Sequence, residues 1–101
     1  MKYIRKGPRP LALRNWERSN ARLPGVQYGS HGFPIADVQR ALVTEQGSIC
    51  AYTMIRIGID SSHVEHLKPQ ALSRSEGRLE ETFDYQNIVA CYPSAPKPGE
   101  A

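Results

Sequence analysis

His63-Val64-Glu65-His66, followed later by Asn87, is where the reactive side chains of this sequence gather. An imidazole titrates near neutral pH, so a histidine can take a proton from water. A carboxylate is a hard oxygen ligand suited to Mg²⁺ or Mn²⁺. Hydrolysis of a phosphodiester needs both, a base to activate water and a cation to offset charge on the phosphate. Glu65 and His66 supply the two types at adjacent positions. In an extended segment, neighbouring side chains point to opposite faces. Both can therefore serve one site only where the strand ends or bends, and Pro69 is consistent with such an exit. His63 and Glu65 would share a face. Taken alone, His-x-Glu-His in a small domain is more often an ordinary surface segment than a catalytic one.

The elements that must position these residues can be read around them. Residues 1–35 look irregular, because Pro8, Pro10, Pro24 and Pro34 and four glycines break any sustained period. A short helix over 12–18 has Leu11, Leu13 and Trp16 as apolar anchors. Residues 37–46 form the best helix candidate, with Pro34 ahead, Gly47 as a C-terminal stop and Val38, Leu42 and Val43 on one side. Residues 49–59 are β-branched and aromatic and predict a strand or hairpin, with Tyr52, Met54, Ile55 and Ile57 in the core. Asp60-Ser61-Ser62 is a turn signal. Residues 71–82 predict a loop or short helix, and 83–91 a second apolar stretch. The prolines between Pro93 and Pro98 cannot continue a helix.

With 101 residues, the chain suits one small domain. It has no long apolar run and no signal peptide, so a cytoplasmic protein without a membrane span is expected. Its net charge of +3 conceals a split. Residues 1–22 carry seven Lys/Arg against Glu17 alone, while the remainder carries six basic and nine acidic residues. A basic arm beside a near-neutral body suits a polyanion or an acidic protein surface, and equally a solvated terminus. Lys68, Arg74 and Arg78 could contact phosphates, although Glu76, Glu80 and Glu81 stand close by. Trp16, between Arg14 and Arg18, fits packing better than base stacking. His31 reads as a surface loop residue. Cys50 and Cys91 cannot by themselves make a closed tetrahedral site. With His63 they make at most an incomplete one, and two small buried apolar residues is the better reading.

Glu65-His66-Leu67-Lys68-Pro69 resembles the Asp-His-Ile-x-Pro signature of HNH (His-Me finger) endonucleases, and Asn87-Ile88-Val89-Ala90-Cys91 resembles the Asn-Leu-x-x-x-Cys that follows it. Four pieces in order are similar to the HNH nuclease subunit of Septu and retron-associated anti-phage systems. They are Met1-Lys2-Tyr3-Ile4-Arg5-Lys6-Gly7-Pro8, Gly47-Ser48-Ile49-Cys50-Ala51-Tyr52, His63-Val64-Glu65-His66-Leu67-Lys68-Pro69-Gln70 and Asp84-Tyr85-Gln86-Asn87. The resemblance implies an α+β fold with a ββα-metal core over 36–101 and a basic, partner-docking arm over 1–35. It implies His66 as general base, Glu65 as metal ligand with His63 beside it, and Asn87 orienting His66 or holding the inter-strand loop. A divalent cation, Mg²⁺ or Mn²⁺, a nucleic-acid substrate (DNA or RNA) and an SMC/ABC-type ATPase in a hetero-oligomer complete the expectation.

The chain also departs from that pattern. No His or Asn follows Cys91, so the family's last ligand and its final helix are not visible. Thr53 and Ser94 stand where relatives carry the second cysteine of each Cys-x-x-Cys pair, so structural zinc is not expected. A shortened chain, a site completed by another subunit, or a module that binds without cutting would each account for this.

Overall fold

The computed structural model describes residues 4–94. Met1, Lys2 and Tyr3 of the opening motif, and the proline-rich segment past Ser94, lie outside the described residues. The fold is α+β: helix α1 (Leu11–Asn20), helix α2 (Ile35–Glu45), strand β1 (His63–His66), helix α3 (Gln70–Ser75) and strand β2 (Ile88–Cys91), with three short 3-10 turns. No helix among the described residues is long and apolar enough to cross a membrane.

Pro10 sets the start of α1, its carbonyl accepting from the N–H groups of both Leu13 and Arg14. The helix is longer than the 12–18 expected, and it buries Leu13 and Trp16. α2 begins after Pro34 and buries Val38, Leu42 and Val43. Its end is a Schellman motif. Gly47 takes φ +66°, Ser48 N–H donates to the Val43 carbonyl at 2.9 Å, and Gly47 N–H donates to that of Thr44 at 3.1 Å. The glycine stop was readable because only a residue without Cβ adopts that φ freely.

β1 and β2 pair antiparallel, with His63 opposite Cys91 and His66 opposite Ile88. Every residue of β2 is buried, whereas β1 is half-exposed. On the far side of β2, where a third strand would stand, lies the side chain of Gln46. Its Nε2 donates to the Ala90 and Ile49 carbonyls, each at 2.9 Å, and its Oε1 accepts from Ala90 N–H at 2.8 Å. Ala51 N–H also reaches the Ala90 carbonyl, at 3.2 Å.

The strand or hairpin expected over 49–59 is reduced to one bridge, Ile49 to Arg56. The chain turns back at once over residues 51–54, folding round the sulfur of Cys50, which leaves no length for a ladder. Tyr52, Met54 and Ile55, expected in the core, are instead about half exposed on this turn; only Ile57 is buried. The core gathers Leu13, Trp16, Val26 and Phe33 together with Leu42, Cys50, Phe83, Ile88 and Val89. It therefore draws on both sides of residue 35. Lys6 joins the first residues to this body, donating to Glu45 at 2.6 Å and to the Ile88 carbonyl at 2.8 Å.

Replacing Gln46 with Leu keeps the volume but leaves the buried N–H of Ala90 without its acceptor. A loss on the order of 3 kcal/mol follows from that unmet demand, read as a drop in the urea midpoint; an unchanged midpoint would show that the clamp carries no weight.

Candidate active site

The strand period of two brings His63 and Glu65 to the same side of β1, as the alternation requires. His63 Nε2 meets Glu65 Oε1 at 2.7 Å, and His63 Nδ1 meets the carbonyl of Pro93. A carbonyl and a carboxylate only accept, so both ring nitrogens of His63 face acceptors, a setting that favours the protonated ring. Burial opposes that charge, but the Pro93 carbonyl and the Glu65 carboxylate outweigh it and raise the His63 pKa.

His66 ends β1, with its ring in a different environment. Nε2 lies 2.8 Å from the carbonyl of Thr82, and the Tyr28 ring packs edge-on with centroids 4.9 Å apart. The Thr82 carbonyl can only accept, which fixes the proton of the neutral ring on Nε2 and leaves the lone pair on Nδ1. Half-burial lowers the His66 pKa; the Thr82 carbonyl and the charge of Glu65 work the other way and are smaller. At neutral pH the ring is therefore an uncharged base with its free nitrogen defined.

Thr82 owes its position to its own hydroxyl, which donates to Leu79 O at 2.7 Å and accepts from Tyr28 N–H at 2.9 Å. The residue is fully buried, so the acceptor of His66 is fixed by packing on all sides. Trp16 presses edge-on against both Phe33 and Phe83, and Phe33 touches Tyr28, so a layer of rings backs the imidazole. Neither Thr82 nor Tyr28 was singled out from sequence. A backbone carbonyl partner leaves no signature in residue type, and Tyr28 sits in a glycine-rich loop that reads as a connection.

Asn87 does not touch His66. Its Oδ1 accepts from Lys68 N–H at 2.8 Å, while Nδ2 donates to the carbonyls of Glu81 at 3.1 Å and Lys68 at 3.3 Å. Of the two roles expected for it, the geometry is that of a staple on the neck of the loop joining β1 to β2. Lys68 has its ammonium 2.6 Å from both Glu76 and Glu81. Arg74 reaches only Gln27, at 3.4 Å, and Arg78 is exposed. The free charge on this loop is thus smaller than the count of its basic residues.

As a cation ligand, the half-exposed Glu65 fits, since Mg²⁺ is often held by one or two carboxylates together with water and substrate phosphates. Both ring nitrogens of His63 are already in contact with protein acceptors, Glu65 and the Pro93 carbonyl, rather than open to a cation. Among the described residues no three His, Cys, Asp or Glu side chains form a set that could hold a metal.

Cys50 and Cys91 are both buried and free. The Cys50 sulfur accepts from the N–H groups of Tyr92, Thr53 and Tyr52 at 3.3, 3.4 and 3.5 Å. Burial would push its thiol up, yet the Thr53 hydroxyl and these N–H groups outweigh it and lower the pKa to about 6. Burial, joined by the neighbouring Cys50, pushes Cys91 up to about 12. Both sit in the core, as expected of two small buried residues, and their thiols are shifted in opposite directions.

No protein-family model matches the chain, and no curated protein matches its sequence.

The two histidines are expected to titrate on opposite sides of the ordinary value of 6.5, His66 below and His63 above. By linkage, His66 contributes stability above pH 6.5 that is lost as pH falls through its lowered value. His63 contributes stability below pH 6.5 that is lost as pH rises through its raised value. Ring-proton NMR against pH checks both, with His63→Gln and His66→Gln used for assignment; coincident titrations would refute the two environments.

Proposed function

We propose that this chain is an HNH-type, metal-dependent endonuclease subunit that hydrolyses phosphodiester bonds of DNA or RNA, with β1 and β2 as the strands of a ββα-metal finger. The observation that carries this proposal is the state of His66, neutral by burial and oriented by Thr82 so that Nδ1 has the lone pair. A general base has to be unprotonated at working pH and aimed by its other nitrogen, and His66 meets both conditions.

In this mechanism a water beside His66 Nδ1 gives up its proton to the ring as its oxygen bonds to phosphorus, while the ester bond from phosphorus to the leaving oxygen breaks and that oxygen takes a proton from solvent. The Thr82 carbonyl then stabilises the imidazolium, because it already accepts from Nε2. Tyr28 restricts the ring from the side. Glu65 would hold the divalent cation, Mg²⁺ or Mn²⁺, which when bound offsets charge on the phosphate and the leaving oxygen. His63, donating to Glu65, holds that carboxylate in place. Asn87 keeps the loop after His66 closed on β2.

The resemblance in residues 1–8, 47–52, 63–70 and 84–87 supports a reading in which the subunit works beside an SMC/ABC-type ATPase in a cytoplasmic anti-phage complex, with the basic N-terminal region as the docking part. A second reading, a module that binds ATPase and nucleic acid without cutting, is favoured by one observation. Among the described residues, Glu65 is joined by no set of His, Cys, Asp or Glu side chains that could hold a metal.

A cleavage assay with the ATPase complex, Mg²⁺ or Mn²⁺ and plasmid or RNA substrates separates the two. Cleavage should be abolished by a chelator and fall by about 100-fold or more in His66→Ala. The rate should hold at neutral pH and drop on acidification through the lowered pKa of His66. Wild-type rates in His66→Ala would remove His66 from the mechanism, and no cleavage under any metal would leave the binding module.

A further inference from the structure

α1 has an inner side that holds Leu13 and Trp16 in the core and an outer side of different composition. Arg14 and Arg18 stand one turn apart on it, and Arg22 extends the row just past the helix end; all three are exposed. None of their guanidinium groups has a hydrogen-bond or ion-pair partner among the described residues. The only acid on the helix, Glu17, is occupied by Arg9 at 3.4 Å. Arg9, Arg14, Arg18 and Arg22 line one open groove of about 550 Å³, with Glu17 and Ala21 completing it.

Three features narrow what such a groove would hold. Its cations are all arginines, whose planar forks match phosphate oxygens two at a time. Arg14 and Arg18 lie one helical turn apart, about 5.4 Å along the axis, and Arg22 follows the helix end. The groove also lacks an apolar or aromatic centre, offering only Ala21, whereas protein interfaces take most of their energy from such a centre. A phosphodiester backbone needs no apolar anchor. Glu80 and Asp84 line the adjoining groove beyond Arg9 and Arg14, which limits the basic track to the side running towards Arg22. Lys68, the cation nearest His66 in sequence, is already bound by two carboxylates.

We infer that the outer groove of α1, through Arg14, Arg18 and Arg22, grips a nucleic-acid backbone without regard to base sequence. This takes the outer face of α1 out of the N-terminal docking surface. It rests on the proposal that the chain acts on nucleic acid, yet it concerns binding, which is measured apart from cleavage.

The test is fluorescence anisotropy of the full chain with a labelled poly-dT oligonucleotide and a labelled duplex, titrated between about 50 and 200 mM salt. Wild type should bind at least one of them, with affinity falling steeply as salt rises. The triple variant Arg14→Gln/Arg18→Gln/Arg22→Gln should bind at least about tenfold more weakly, with a salt slope shallower by about 2 to 3, one phosphate contact per arginine. Arg40→Gln/Arg56→Gln, which removes exposed arginines from other surfaces, should keep most of the wild-type slope. The circular-dichroism melt of the triple variant should match wild type, because its three side chains are exposed.

A wild-type salt slope in the triple variant would overturn the inference, as would absence of binding by wild type. Competition by poly-glutamate as strong as by oligonucleotide would assign the groove to an acidic protein and overturn it equally. If wild type binds in this way but never cuts, the catalytic proposal fails while the α1 groove stands.

Discussion

The carboxamide of Gln46 takes the place of a third strand beside β2. Two strands alone would leave the outer edge of β2 with polar groups facing a packed interior, and water does not reach them there. A side-chain amide, with a carbonyl oxygen and an NH₂ group, can both donate and accept in the pattern a strand offers. Placed at the last turn of α2, it meets Ala90 on both backbone groups and Ile49 on its carbonyl. Because β2 is held in this way, β1 has a fixed partner, and the register that puts His63 across from Cys91 and His66 across from Ile88 is held as well. The helix stop at Gly47 matters for the same reason, since it sets where α2 ends and hence where Gln46 projects.

Around that frame, the candidate site depends more on carbonyls than on side-chain partners. His66 is oriented by Thr82 O and His63 by Pro93 O, while Asn87 works on Glu81 O and Lys68 O. The backbone positions the imidazoles, and the side-chain amides and the threonine position the backbone. This explains how a short ribbon can shift two histidines, three residues apart, in opposite directions. One faces a carboxylate, the other a phenol ring and a threonine carbonyl.

How far the sequence could be read follows from which interactions carry a residue signature. The Gly47 stop, the shared face of His63 and Glu65, and the buried side of α2 come from backbone sterics or simple periodicity, and all were legible. The turn over residues 51–54 was not. Its β-branched and aromatic residues match a strand in composition, but the chain is drawn round the Cys50 sulfur by N–H donors, a demand no propensity encodes. Gln46 was hidden because a polar residue at a helix end reads as solvated. Lys68 was legible as a cation but not as a neutralised one, since its pairing with Glu76 and Glu81 depends on how α3 and the following turn fold back. The acids beside it had already weakened the case for a basic surface there.

The chain has a single tryptophan, and its setting has an optical consequence. Trp16 is buried between Phe33 and Phe83, with its indole N–H on the His31 carbonyl at 2.8 Å. Phe83 follows Thr82 directly, and Phe33 touches Tyr28, so the fluorophore adjoins the same layer that aims the His66 ring. Intrinsic emission therefore reports on that layer in particular. Loosening of the imidazole's surroundings would change the indole's emission, and the protein supplies the probe for its own site without a label.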